Sequence, residues 1–150
     1  MIFVCDVMLG KLARYLRILG FDAPSVRRGD DPASFPAPSS ACVHLTKRQD
    51  RTARPHTVVI HANNPGDQLL EIKGMVEEYM DSAAYMTRCI ECNALLADAT
   101  GEEIEPFVPE YIYHHHDRFK VCPSCGKVYW EGSHAGKMRE WIEKFINRDG

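Results

Sequence analysis

The chain has 150 residues, 45% hydrophobic and 26% charged, which is the balance of a globular protein and excludes a disordered or fibrous one. Its net charge of -3 conceals a split: residues 1–60 carry nine Lys and Arg against five Asp, and residues 61–150 carry nine against sixteen acids, so the first part is +4 and the rest -7. No apolar run approaches the roughly 18 residues needed to cross a bilayer, so no membrane span is expected, and the opening Met1-Ile-Phe-Val-Cys-Asp6 has neither a basic leader nor a small-residue cleavage site, which points to a cytoplasmic protein.

Ile2 to Cys5 is a short run of strand formers closed by Asp6. Leu9, Leu12, Leu16 and Leu19 then recur at helical spacing, with Lys11, Arg14 and Arg17 on the other side and Gly20 placed to stop the helix. A polyanion contacting those cations and a solvated helix face account equally for the charge. Residues 24–40, rich in Pro, Ser, Asp and Gly, predict a loop with at most one helical turn. Ala41–Leu45 and Thr57–Ile60 have the apolar, β-branched character of buried parallel strands, and the segment between them is polar and basic. From Asp67 to Met80, the spacing of Leu69, Ile72, Met75, Val76 and Tyr79 predicts one amphipathic helix. Residues 1–84 therefore read as an α/β unit with a parallel sheet. Residues 85–150 read as a second, smaller unit closed by a helix from about His134 to Ile146, whose apolar side is Met138, Trp141 and Phe145.

Cys89-Ile-Glu-Cys92 and Cys122-Pro-Ser-Cys125-Gly126 are two C-x2-C turns, each presenting two thiolates at metal-bond range, and together they complete a tetrahedron. Four thiolates leave no open position for water, so the ion is expected to be structural: Zn2+, with rubredoxin-like iron as its competitor. Cys5 and Cys42 lie in strand-like runs, a pattern that suits a reducing compartment without disulfides.

Ligands of open α/β sheets collect at the carboxyl ends of the strands, where Asp6 falls. With Asp30, Asp31 and Asp50 it could hold Mg2+ or Mn2+ for phosphodiester hydrolysis. The same residues also suit turns and helix caps, and spacing alone favours that plainer use. Among the cations, Lys11, Arg14, Lys47, Arg48, Arg51 and Arg54 are candidates for gripping the phosphates of a polyanion, and a solvated basic surface accounts for them as well.

The stretch Phe3-Val-Cys-Asp-Val-Met-Leu-Gly-Lys-Leu-Ala-Arg-Tyr-Leu-Arg-Ile-Leu-Gly-Phe-Asp22 resembles the opening of the Mut7-C family, a PIN-like ribonuclease domain with a C-terminal zinc ribbon. Arg88-Cys-Ile-Glu-Cys-Asn93 and Phe119-Lys-Val-Cys-Pro-Ser-Cys-Gly-Lys-Val-Tyr-Trp-Glu-Gly-Ser-His134 continue the resemblance. It implies a PIN-like α/β fold, zinc in the ribbon, RNA as substrate, and an acidic metal site containing Asp6 and either Asp30 or Asp31. His44-Leu-Thr-Lys-Arg48 resembles a family segment that usually reads Leu-Thr-Arg-Asp, so Arg48 stands in the place of an aspartate and Asp50 lies two residues on. The expectation is a metal-dependent ribonuclease; the alternative is a non-catalytic RNA-binding or protein-interaction module with a decayed acidic site.

Overall fold

The computed structural model describes residues 1–147. β1 (Ile2–Cys5) leads through a tight turn into α1 (Gly10–Ile18), and β2 (Cys42–Thr46) and β3 (Thr57–Val59) follow. The three strands form a parallel sheet in the order β1-β2-β3, pairing Phe3 with Val43 and Leu45 with Val58. Leu9, Leu12, Leu16 and Leu19 are all buried, as their spacing predicts. Gly20, at φ +91°, stops the helix: its N–H bonds the Arg17 carbonyl while the N–H of the buried Phe21 bonds that of Leu16.

The loop expected after α1 does more than connect. Residues 22–25 run parallel to β1 on its free edge, with Phe3 and Cys5 N–H bonding the carbonyls of Asp22 and Pro24 at 2.9 Å. The expected helical turn is Pro32–Ser34. Phe3, Cys5, Val43 and Leu45 enter the core beneath α1. The alternate residues Val4 and His44 face a proline-rich cover in which His44 Nε2 donates to the Pro36 carbonyl at 2.7 Å.

The single helix expected over 67–80 is two, α2 (Pro65–Glu71) and α3 (Lys73–Tyr79), divided at Ile72, whose backbone leaves the helical region at φ -111°, ψ 16°. Leu69, Ile72 and Val76 still reach the core across the break. Beyond it come β4 (Ala97–Ala99), α4 (Gly101–Ile104), α5 (Glu110–His115), β5 (Phe119–Val121), β6 (Val128–Trp130) and α6 (His134–Asn147). The last three strands pair antiparallel in chain order.

α6 returns against α1 and α2. Its buried positions are Ala135, Ile142 and Ile146, a stripe shifted from the expected one. Trp141, 47% exposed, instead stacks on Phe145 and meets Tyr15 edge-on. A Cβ at Gly66 would lie 3.2 Å from the Phe145 ring, so the close approach of α2 to α6 uses a residue without a side chain. One buried cluster runs from Phe3 through Leu16 and Cys89 to Ile142, so the metal-binding half packs into the same core as the sheet.

Candidate metal centre and switch-point cleft

The two cysteine pairs adopt one geometry twice. Asn93 N–H bonds the Cys89 carbonyl at 2.9 Å, and Gly126 N–H bonds that of Cys122 at 2.8 Å. Cys89 and Cys122 each close their loop by bonding Ala94 and Lys127 carbonyls at 2.9 Å. The residue after each pair has positive φ, Asn93 at 64° and Gly126 at 80°, a conformation that Gly adopts freely and Asn tolerates.

The four Sγ atoms lie within 4.8 Å of one another, and Cys89 Sγ is 3.7 Å from Cys125 Sγ. A tetrahedral ion with metal–sulfur bonds of about 2.3 Å sets its ligands roughly 3.8 Å apart, so the donor set fits Zn2+. Burial pushes the Cys89 thiol up, but the Tyr129 hydroxyl and the backbone N–H groups of Cys92 and Glu91 outweigh it and bring the metal-free thiol to about 7. Tyr129 donates to Cys89 Sγ at 3.2 Å and accepts from Ile90 N–H at 3.1 Å, which fixes both. This places Tyr129 in the core.

The first knuckle is tied to the edge of the parallel sheet. The buried Arg17 donates to the carbonyls of Ile90 and Ala23 and to Ser25 Oγ, at 2.8, 2.9 and 3.0 Å. Asn93 donates to Asp22 Oδ1 at 2.7 Å and accepts from Ala23 N–H at 3.0 Å.

Asp6 sits at the carboxyl end of β1. The chain leaves β1 for residues 22–25 on one side and returns as β2 on the other, so the order of strands reverses at Asp6, the usual place for a ligand. Its carboxylate is fixed by Val7 N–H at 2.8 Å and by the hydroxyl of the buried Thr46, at the end of β2, at 2.7 Å. Thr46 Oγ1 also accepts from Arg48 N–H at 3.1 Å. A cleft of about 940 Å3 opens here, lined by Asp6, Thr46, Arg48, Arg51 and Arg54 and by apolar residues that include Val4, Val26 and Phe35.

Asp30, Asp31 and Asp50 do not line this cleft. Asp30 closes a turn by accepting from Arg27 N–H, Asp31 caps Pro32–Ser34, and Asp50 pairs with Arg48 at 3.1 Å. Among the described residues, the cysteine quartet is the one group of three or more Cys, His, Asp or Glu whose ligand atoms converge on a metal position. Arg48 and Arg51 line the cleft, whereas Lys47 Nζ is held by the Ala62 carbonyl and Asn63 Oδ1 at 2.7 and 2.9 Å. Lys11 and Arg14 line a second hollow of about 400 Å3 with Arg27 and Arg28, and there Arg14 pairs with Glu91. Phe35 in the cleft and Arg27 and Arg28 in the hollow are additional lining residues, and the adjacent arginines are the sign of them in the sequence.

Among the described residues, no helix is long and apolar enough to cross a membrane. No curated protein and no solved structure matches the chain. A family model described as the Mut7-C RNAse domain matches residues 1–142, a span that takes in both Asp6 with its cleft and the four clustered cysteines. That extent, reaching from the first strand into the closing helix, shows that the chain belongs to the Mut7-C RNAse domain family.

Proposed function

We propose that the chain is a metal-dependent ribonuclease that hydrolyses RNA phosphodiester bonds at the Asp6 end of the parallel sheet. In this reading residues 1–84 form the PIN-like nuclease unit, residues 85–150 form the zinc ribbon that braces it, and the protein works in the cytoplasm. The observation that carries it is the position of Asp6, hydrogen-bonded by Thr46 at the reversal of strand order in a cleft that also holds Arg48, Arg51 and Arg54.

Mg2+ or Mn2+ would activate water and neutralise the scissile phosphate. Such ions are often held by one or two carboxylates together with substrate phosphates, and Asp6 is the carboxylate this cleft offers. Thr46 orients that carboxylate, and the arginines hold the RNA backbone. Asp30, Asp31 and Asp50 serve local partners, each through one carboxylate oxygen.

The test is cleavage of a labelled single-stranded RNA with and without Mn2+, run on the native protein and on Asp6→Asn. Mn2+-dependent cutting that disappears in the variant supports the reading; cutting that persists removes Asp6 from the mechanism. A second reading, an RNA-binding module that no longer cuts, is favoured by Arg48 standing in the cleft and by the dispersed carboxylates. A cation site beside a guanidinium is opposed electrostatically. Calorimetric titration with Mn2+ separates the two, since the module would show no divalent site that depends on Asp6.

A further inference from the structure

Parallel sheets are ordinarily covered on both faces. Here one face lies on α1, while the other, carrying Val4 and His44, is roofed by residues 32–38 and leaves the large cleft between sheet and roof. Its walls are mainly apolar and include the partly buried aromatic ring of Phe35, with the His44 imidazole, tied to the Pro36 carbonyl, as the other ring. Its polar residues include Asp6, Thr46 and three arginines. Arg48 is paired with Asp50, but among the described residues neither Arg51 nor Arg54 has a carboxylate partner.

An apolar slot with an aromatic wall beside uncompensated guanidinium groups matches one kind of RNA component. A nucleotide presents a flat, largely apolar base next to an anionic phosphate. The volume, about 940 Å3, is ample for a base and its ribose. We propose that this cleft is a base subsite: one unpaired nucleobase of a single-stranded RNA enters between the sheet and residues 32–38 and stacks on Phe35, while its phosphate lies against Arg51 and Arg54.

Val26 lines both this cleft and the smaller hollow with Lys11, Arg14, Arg27 and Arg28. The neighbouring backbone can therefore run over Val26 from one set of cations to the other. The inference rests on the reading of the chain as RNA-directed and adds which part of the RNA is recognised, and where.

The test uses a short RNA that is abasic except for one 2-aminopurine, compared with the same RNA made wholly abasic. Stacking of one base on an aromatic ring predicts about ten-fold tighter binding of the RNA that keeps its base, with the 2-aminopurine fluorescence quenched on binding. Phe35→Ala should remove the quench. Ala37→Trp, which fills the cleft from an exposed position, should erase the affinity difference while leaving the fold intact by circular dichroism.

Equal affinity for the two RNAs, an unquenched base, or a base effect that survives Ala37→Trp would each overturn the subsite. Cleavage of ordinary RNA, measured on the same preparations, keeps the two readings apart. Base-dependent binding without Mn2+-dependent cutting defeats the nuclease assignment and leaves the subsite standing. Cutting without base dependence does the reverse.

Discussion

Arg17, buried within the packing of α1, donates from Nη1 to the Ile90 carbonyl at 2.8 Å, so the first helix reaches directly into the first cysteine knuckle. Arg17→Met keeps much of the packing volume but leaves the Ala23 and Ile90 carbonyls without this donor. Hydrogen bonds to charged groups typically contribute about 1.5 to 3 kcal/mol, so the variant should lose about 2 to 4 kcal/mol in urea unfolding. Unchanged stability would show that the contact does not brace the ribbon.

Tyr129→Phe removes the hydroxyl between Cys89 Sγ and Ile90 N–H without altering the ring. Partners that orient metal ligands typically account for about 10- to 100-fold in affinity, so zinc should bind more weakly by that range in competition with a chelator. The native protein should carry one colourless zinc by elemental analysis, and stripping it should lower the melting temperature.

Gly20→Ala tests the end of α1. The backbone there has φ +91°, and an added Cβ would overlap the Ala84 carbonyl. Left-handed strain alone costs about 1 to 2 kcal/mol, and the overlap adds to it. Thermal unfolding should show a loss beyond 2 kcal/mol, roughly, if Ala84 cannot withdraw.

Burial pushes the Cys5 thiol from 9.0 up to about 12, against a small opposing pull from Arg17. The folded thiol holds its proton more tightly than the unfolded one. Its contribution to stability is therefore fully present below about pH 9 and is lost as the pH climbs toward 12. Between these limits the native protein should weaken more steeply than Cys5→Ala in urea titrations. Iodoacetamide at about pH 8 should leave Cys5 unlabelled until the chain is unfolded.

Much of this architecture is legible in the sequence because period and chemistry agree: leucines on one side of α1, β-branched runs in the sheet, two thiols per turn at the knuckles. What escapes is set by tertiary context. Asp22-Ala-Pro-Ser25 has little strand propensity and pairs because β1 offers a free edge and because Arg17 and Asn93 hold it there. The short elements β4, α4 and α5 lie largely exposed and lack a sustained apolar period. The local partners of the other carboxylates are equally invisible in one-dimensional spacing: Asp30 and Asp31 satisfy nearby backbone N–H groups, and Asp50 meets Arg48.

The quartet is unevenly sheltered. Cys89 and Cys122 are sealed in the core, while the second cysteine of each pair, Cys92 and Cys125, stands at the surface. Ligand exchange consequently begins from one side: a competing thiol or chelator meets Cys92 and Cys125 first, and the buried sulfurs let go last. An electrophile or oxidant arrives by the same route, so damage to the centre should register first at Cys92 and Cys125, and the lifetime of the bound metal depends on how well those two exposed thiolates are kept in place.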